Sequence, residues 1–398
     1  MADISNYLKE KEKREQKQSG YKEKIRKHKL SMFYRVGLIV LVLGIIVSLV
    51  MVQYKRHIYT GYDIVSSIIK ENASGSIDIR LGDSVLTYSK DGAHCTNIKG
   101  EVTWNQTYEI QDIKIDTCQD VVAIGNYNGR EIYVQSAGEQ LGTITTTMPI
   151  RDIAVSANGY VTAILADTDV TWVNTYNAQG ENIYTGQAHM YDSGYPSAIS
   201  LSPGGELLAV SYVYVDAGVI KTNVAFYNFG PVGANHSDYI VSAYSYQDML
   251  VPYVQFMNDE TSFAVGDSRL MIYKGAQKPV SAKEYLYDEE IQSVFYNENY
   301  VGLVFISDEV KAQYRMDVYG ANAEKVGSYY FDTDYTNIFF EQEQFVVYNE
   351  TECMVMTFGG VEKYKGFFSK SVNLMLPTSS AYKYVLVTNN SIDTIQLK

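Results

Sequence analysis

The residues able to do chemistry are scattered along this chain. Five histidines stand at His28, His57, His94, His189 and His236, with no His-Glu-x-x-His and no His-x-His spacing, so no local motif sets two imidazoles on one metal ion. Gly82-Asp-Ser84 and Gly266-Asp-Ser268 echo a nucleophilic serine. Both precede strand-like runs, where Gly, Asp and Ser are ordinary turn residues, and no Gly-x-Ser-x-Gly elbow accompanies them. Asn126-Tyr-Asn-Gly129 and Asp167-Thr-Asp169 carry oxygens suited to calcium, but the full acidic loop with its distal Glu is missing, and Asn-Gly is a preferred hairpin turn. Neither phosphate-cradling glycine loop occurs. Cys95, Cys118 and Cys353 form no Cys-x-x-Cys pair; they read as strand thiols, with a Cys95–Cys118 disulfide as the alternative in an oxidising compartment. The expectation is a chain with no catalytic residue, no metal and no cofactor.

Tyrosine is the one unusual bias: 36 Tyr against 14 Phe and 2 Trp. Tyr suits half-buried strands, its ring packed and its hydroxyl wet. It is also enriched at the centre of interfaces, which makes an aromatic face for a glycan or protein partner the functional reading. Tyr212, Tyr214, Tyr244, Tyr246 and Tyr253 cluster around the longest insertions and are the candidate partner-binding residues.

Whatever these side chains do must be positioned by the rest of the chain, which begins with an anchor. No charge falls between Arg35 and Lys55, and residues 36–54 are almost wholly apolar, with Tyr34 and Tyr54 at the ends. Those 19 residues make roughly 28 Å of helix, close to the hydrocarbon thickness of a bilayer. No small-x-small cleavage site follows, so the segment reads as a transmembrane signal anchor. Residues 1–35 hold eleven Lys/Arg against five Asp/Glu, and Lys55 and Arg56 add two more positive charges. With a net charge of −13, the remainder is near −13 − 6 − 2 = −21. Positive-inside topology puts the basic tail in the cytoplasm, as a helix or disordered, and the acidic bulk outside. That acidic bulk argues against nucleic-acid binding. Residues 55–75 are expected as a juxtamembrane linker. Sequons at Asn72, Asn105, Asn235, Asn349 and Asn389 matter only in a host that glycosylates exported chains.

From 76 to 398 helical periodicity gives way to short β-branched and aromatic runs broken by Gly, Asn, Asp and Ser. An apolar-x-apolar opening followed by a turn and an apolar strand recurs from Ile113, Ile153, Ile199, Val254, Val294, Ile338 and Leu374, at spacings of 40, 46, 55, 40, 44 and 36. Each repeat has a second half that ends near a Gly and one more strand. About forty residues per four-stranded antiparallel sheet, repeated, predicts an all-β propeller. Ile79-Arg-Leu81 supplies an eighth opening, and Ser391–Leu397 reads as the third strand of the last unit. Eight blades is the favoured count; a seven-blade ring that spends Ile77–Leu81 on completing the last sheet is the alternative.

Ser89–Trp104, ending Gly100-Glu-Val-Thr-Trp104, resembles one repeat of the PQQ-like quinoprotein propellers, and Ser202-Pro-Gly-Gly-Glu-Leu-Leu-Ala-Val210 resembles the turn of WD40- and TolB-type blades. From about Arg35 to Lys398 the chain resembles a family of Gram-positive membrane-anchored propellers of unknown function, on the strength of Met148-Pro-Ile150, Gly194-Tyr-Pro196, Ala225–Gly230 and Ser293–Asn297. The resemblance implies a fold and an anchor. The expected role is a non-enzymatic binding module for a protein or cell-envelope partner. The rivals are an enzyme acting on envelope glycans or through a quinone-type cofactor, with carboxylates converging in the channel, and a sensor that signals through a cytoplasmic partner.

Overall fold

The computed structural model of the protein describes residues 2–70, 75–166, 170–189 and 193–398. Two compact units divide the chain, residues 1–58 and 59–398. The first is one helix, Ala2–Arg56, so the stretch 36–54 and the charged tail before it are helical. Within it His28–Ser48, 21 residues of mean hydropathy 2.4, is long and apolar enough to cross a membrane.

In the second unit the described strands form eight four-stranded antiparallel sheets. Blade 1 spans 77–107, blade 2 113–145, blade 3 150–188, blade 4 195–247, blade 5 253–286, blade 6 293–331 and blade 7 337–367. Their strands are lettered a to d in chain order, with a innermost. Blade 8 takes strands a to c from 374–397 and its outer strand from Tyr62–Ile69, which runs antiparallel to Ser391–Leu397 from Tyr62↔Leu397 to Ile69↔Ser391. The stretch 55–75 therefore does not act as a linker throughout. Its run Tyr-Asp-Ile-Val-Ser-Ser-Ile-Ile completes a sheet for which the C-terminus supplies only three strands. Ile77–Leu81 opens blade 1 and leaves the last sheet alone, which settles the count at eight.

The core is divided among the blade interfaces. Eight hydrophobic clusters each join residues of two consecutive blades, from Leu86 with Val122 between blades 1 and 2 to Val85 with Leu376 between blades 8 and 1. This explains why strands b read as continuous apolar runs such as Val121-Val-Ala-Ile124. A strand packed on both faces has no polar side to show. Strands d, with one edge in water, return to mixed burial.

Polar contacts repeat the same blade-to-blade logic. On the a–b turns, Asn158 Nδ2 donates to the Gly204 carbonyl (3.0 Å), Gly204 N–H to Asp259 Oδ1 (2.6 Å), Asn258 Nδ2 to the Glu298 carbonyl (2.8 Å) and Asn297 Nδ2 to the Phe340 carbonyl (3.2 Å). Ring closure has its own clasp. Lys70 Nζ lies 2.5 Å from both oxygens of Asp78, with side-chain exposures of 5% and 1%. Thr87 Oγ1 (2.6 Å) and Asn373 Nδ2 (3.2 Å) also donate to that carboxylate.

Candidate interaction face

One element breaks the eightfold regularity. Strands b and c of blade 4, Leu207–Asp216 and Val219–Asn228, have ten residues each, whereas the other b strands have five to seven. Three to five extra residues at ~3.3 Å carry the tip on the order of 10–16 Å farther. Ala217 (φ 51°) and Gly218 (φ 82°) form the two-residue turn, both left-handed, which matches the twist of the paired strands. Val215 pairs across from Ile220 on one face of the ribbon, and the two are 69% and 47% exposed; Val219, paired with Asp216, stands on the other face at 39%. The Lys221–Asp216 ion pair (2.7 Å) braces the tip. In a blade that alternates direction, a–b and c–d turns share one face of the ring and b–c turns the other. The chain joins the ring at Tyr62, opposite the end of strand c, so the hairpin tip lies on the opposite face of the ring.

The five tyrosines do not form a displayed patch. Tyr212 and Tyr246 are buried, their hydroxyls bonded to those of Tyr227 (2.7 Å) and Tyr273 (2.6 Å). Tyr244 is half-buried; its hydroxyl donates to the Pro279 carbonyl (3.3 Å) and accepts from Ser281 N–H (3.0 Å) in blade 5. Tyr253 is half-buried too, its ring tilted against Phe263 and edge-on to Tyr296. Only Tyr214, half-buried and paired with Lys221 near the tip of the long hairpin, belongs to the exposed element. The physical reason is a recurring staple in which an aromatic on an outer strand reaches the c–d turn of the next blade. Trp104 Nε1 donates to the Ser136 carbonyl (2.5 Å), Tyr285 to Ala323 (2.9 Å) and Tyr329 to Phe358 (2.9 Å), in the manner of Tyr244. Sequence reading missed Val215, Val219 and Ile220; the signal was the nearly unbroken run of apolar and aromatic residues from Leu207 to Val215, longer than a blade strand needs.

Polar groups do converge in the channel, from blades 2, 5 and 6. Asp116 on the inner strand of blade 2 accepts Val155 N–H (2.7 Å). Burial pushes its carboxyl up to about 7 against the pull of the Val155 and Thr117 amides, with Asp152 adding to the rise. On the same strand, burial and then the Asp116 charge push the Cys118 thiol up to about 12. The rings of Tyr253 and Tyr296 lie 6.5 Å apart; burial raises both hydroxyls, and the Asp116 charge adds to both. Tyr296 keeps 36% exposure, so solvent reaches the channel wall here.

The remaining candidate motifs are turns. Gly82 (φ 59°) and Asp83 make the a–b turn of blade 1, and Asp267-Ser268 the b–c turn of blade 5, where Asp267 Oδ2 accepts Leu250 N–H (3.2 Å). Asn128 (φ 63°) sits in a b–c turn held by Arg151. Asp167–Asp169 and the sequon at Asn72 lie outside the described residues. Among the described residues no group of three metal-ligating side chains comes together, and Cys95, Cys118 and Cys353 are free thiols.

A family model described as a family of unknown function (DUF5711) matches residues 54–397. The chain belongs to that family. No curated protein matches it in sequence. Among solved structures this DUF5711 member is similar in fold to BamB from Moraxella catarrhalis (TM-score 0.48, 11% identity, 84% of this chain and 100% of that one). Others are Hsv2p of Kluyveromyces lactis (0.48, 9%, 75% and 99%) and BBS1N in complex with ARL6DN (0.43, 10%, 86% and 98%).

Proposed function

We propose that this DUF5711 protein is a membrane-tethered propeller, without catalytic activity of its own, that binds a protein partner outside the cytoplasmic membrane of a Gram-positive cell through the blade 4 hairpin. The observation that carries the reading is the pairing of Val215 with Ile220 at the exposed tip of an element longer than ring packing requires. Apolar side chains grouped at such a tip favour a partner with an apolar cleft. Tethering is supported by the helix, where Leu38, Val40 and Leu41 are 62–65% exposed, an apolar surface suited to lipid. The basic tail and the acidic remainder support a cytoplasmic N-terminus. The rival, chemistry in the channel, has the near-neutral Asp116 in its favour.

The test places a photo-crosslinking amino acid at Val219 in intact membranes and compares the parent chain with a Val215→Asp/Ile220→Asp variant. A discrete crosslinked protein is expected for the parent and should be lost in the variant, with the melting temperature unchanged. Failure to crosslink any protein, or the same product from the charged variant, rejects the reading.

A further inference from the structure

Between the outer strand of blade 5 and strands c and d of blade 6 runs a groove of about 400 Å³, within the range of small-ligand sites. Tyr285, Leu286, Tyr287 and Tyr330 line it over the buried Tyr319, and its polar side chains include Arg315, Asp317, Lys325 and Ser328. Tyr285 and Tyr319 pack with ring centroids 4.3 Å apart, and Tyr330 is 41% exposed.

The charges in this groove are already matched. Arg315 is held by both carboxylate oxygens of Glu289, with Nη1 at 2.9 Å, while its guanidinium lies 4.6 Å over the Phe305 ring. Lys325 Nζ is 2.9 Å from Asp317 Oδ2, and Ser328 Oγ donates to Asp317 Oδ1 (2.6 Å). An anion would have to compete with Glu289 and Asp317 for its counter-charge, and a cation with Arg315 and Lys325. Breaking such partly buried pairs is costly. An apolar ligand would bury the same groups without satisfying them. The exposed groups nevertheless keep hydrogen-bonding capacity in a fixed position. Arg315 Nε and Asp317 are buried against each other, 3.6 Å apart, but the Lys325 side chain is 40% exposed and its ammonium has three protons, and the hydroxyls of the exposed Ser328 and Tyr330 stand beside it. Neighbouring hydroxyls, which donate and accept at once, match such a mixed set. The positively polarised C–H face of a sugar ring matches the electron-rich face of a tyrosine.

The geometry points to a binding site for a neutral saccharide in this interblade groove. The inference goes beyond the hairpin reading and shares no residue with it, so either can fail alone. The test uses the full chain in lipid nanodiscs, titrated with chitobiose, cellobiose and maltotriose as neutral probes. A galacturonate dimer and a glucosamine dimer serve as the anionic and cationic probes, and calorimetry and saturation-transfer NMR follow binding. At least one neutral probe is expected to bind in the millimolar range or tighter, ahead of both charged probes. Tyr330→Ala should weaken it by about tenfold, the scale of losing one aromatic anchor, with an unchanged melting temperature, and Tyr330→Phe should keep most of the affinity. The proposal is overturned by three results: no neutral probe binding, a charged probe binding as well or better, or Tyr330→Ala binding like the parent.

Discussion

A tyrosine on an outer strand of this ring has to bury a ring against the next blade and still satisfy a hydroxyl. The staples at Tyr244, Tyr285 and Tyr329 do both by reaching a backbone carbonyl in the neighbouring c–d turn, the part Trp104 plays once with its indole N–H. The tyrosine excess is in good part a packing signature, and composition alone could not separate it from a binding face. Strand position decides burial, and the candidates at 212 and 246 fell on buried positions. Asp116 was equally hidden, because an aspartate in Ile113-Lys-Ile-Asp looks like any turn-proximal acid until the ring closes around it. Its carboxyl, raised by burial from 3.8 to about 7, binds a proton more tightly folded than unfolded. A group of this kind favours the folded state while protonated, and its contribution is lost as pH rises from about 4 through about 7. A tenfold change in proton affinity is about 1.4 kcal/mol, so the penalty of the ionised form is on the order of a few kcal/mol. Asp116→Asn keeps an acceptor for Val155 N–H and is expected to be more stable than the parent at pH 8. The difference should vanish below pH 4 in urea denaturation series; a constant difference across pH would show that Asp116 is not the titrating group.

At the scale of elements, the strand Tyr62–Ile69 and the clasp behind it decide whether the ring is closed. Lys70 follows that strand, Asp78 opens blade 1, Thr87 stands on the next strand, and Asn373 precedes the inner strand of blade 8. One carboxylate thus ties both sides of the seam. Asp393 makes a second tie. Burial would raise its carboxyl, but hydrogen bonds from Ser67, Lys370 and Ser391 outweigh this and hold it below the usual range. Lys70→Met leaves Asp78 buried without its cation, and breaking a buried pair in this way costs about 3–5 kcal/mol. The double variant Lys70→Met/Asp78→Leu should recover much of that loss, because the uncompensated charge is gone. Equilibrium urea unfolding measures both, and a single variant as stable as the parent would mean that the pair does not hold the seam. None of this was legible in the sequence. Tyr62–Ile69 sits between an apolar helix and the first complete repeat, and its partner strand lies more than 300 residues away. The repeat openings were legible because each blade is local, and local pairing leaves its pattern in consecutive residues.

For the whole molecule, stability is distributed over eight interfaces that each need both neighbours, so the ring is only as sound as its weakest joint. Blade 8 is that joint, being the one sheet assembled from both ends of the chain. Starting the chain at residue 57 removes the helix and keeps every strand, whereas starting at residue 76 also removes the outer strand of blade 8 and Lys70. In the shorter form Ser391–Leu397 becomes a bare edge, with unpaired N–H and C=O groups open to another chain. Asp78 would lose its cation at the same time. The longer form is therefore expected to run as a monomer on size exclusion and to melt in one transition at neutral pH. The shorter form should melt at least several degrees lower and associate. If the two melt together and both stay monomeric, Tyr62–Ile69 merely covers a ring already closed by Leu374–Pro377 against blade 1. If only the shorter form fails, the segment first read as a linker is the last structural strand of the propeller, and it closes the ring at its seam.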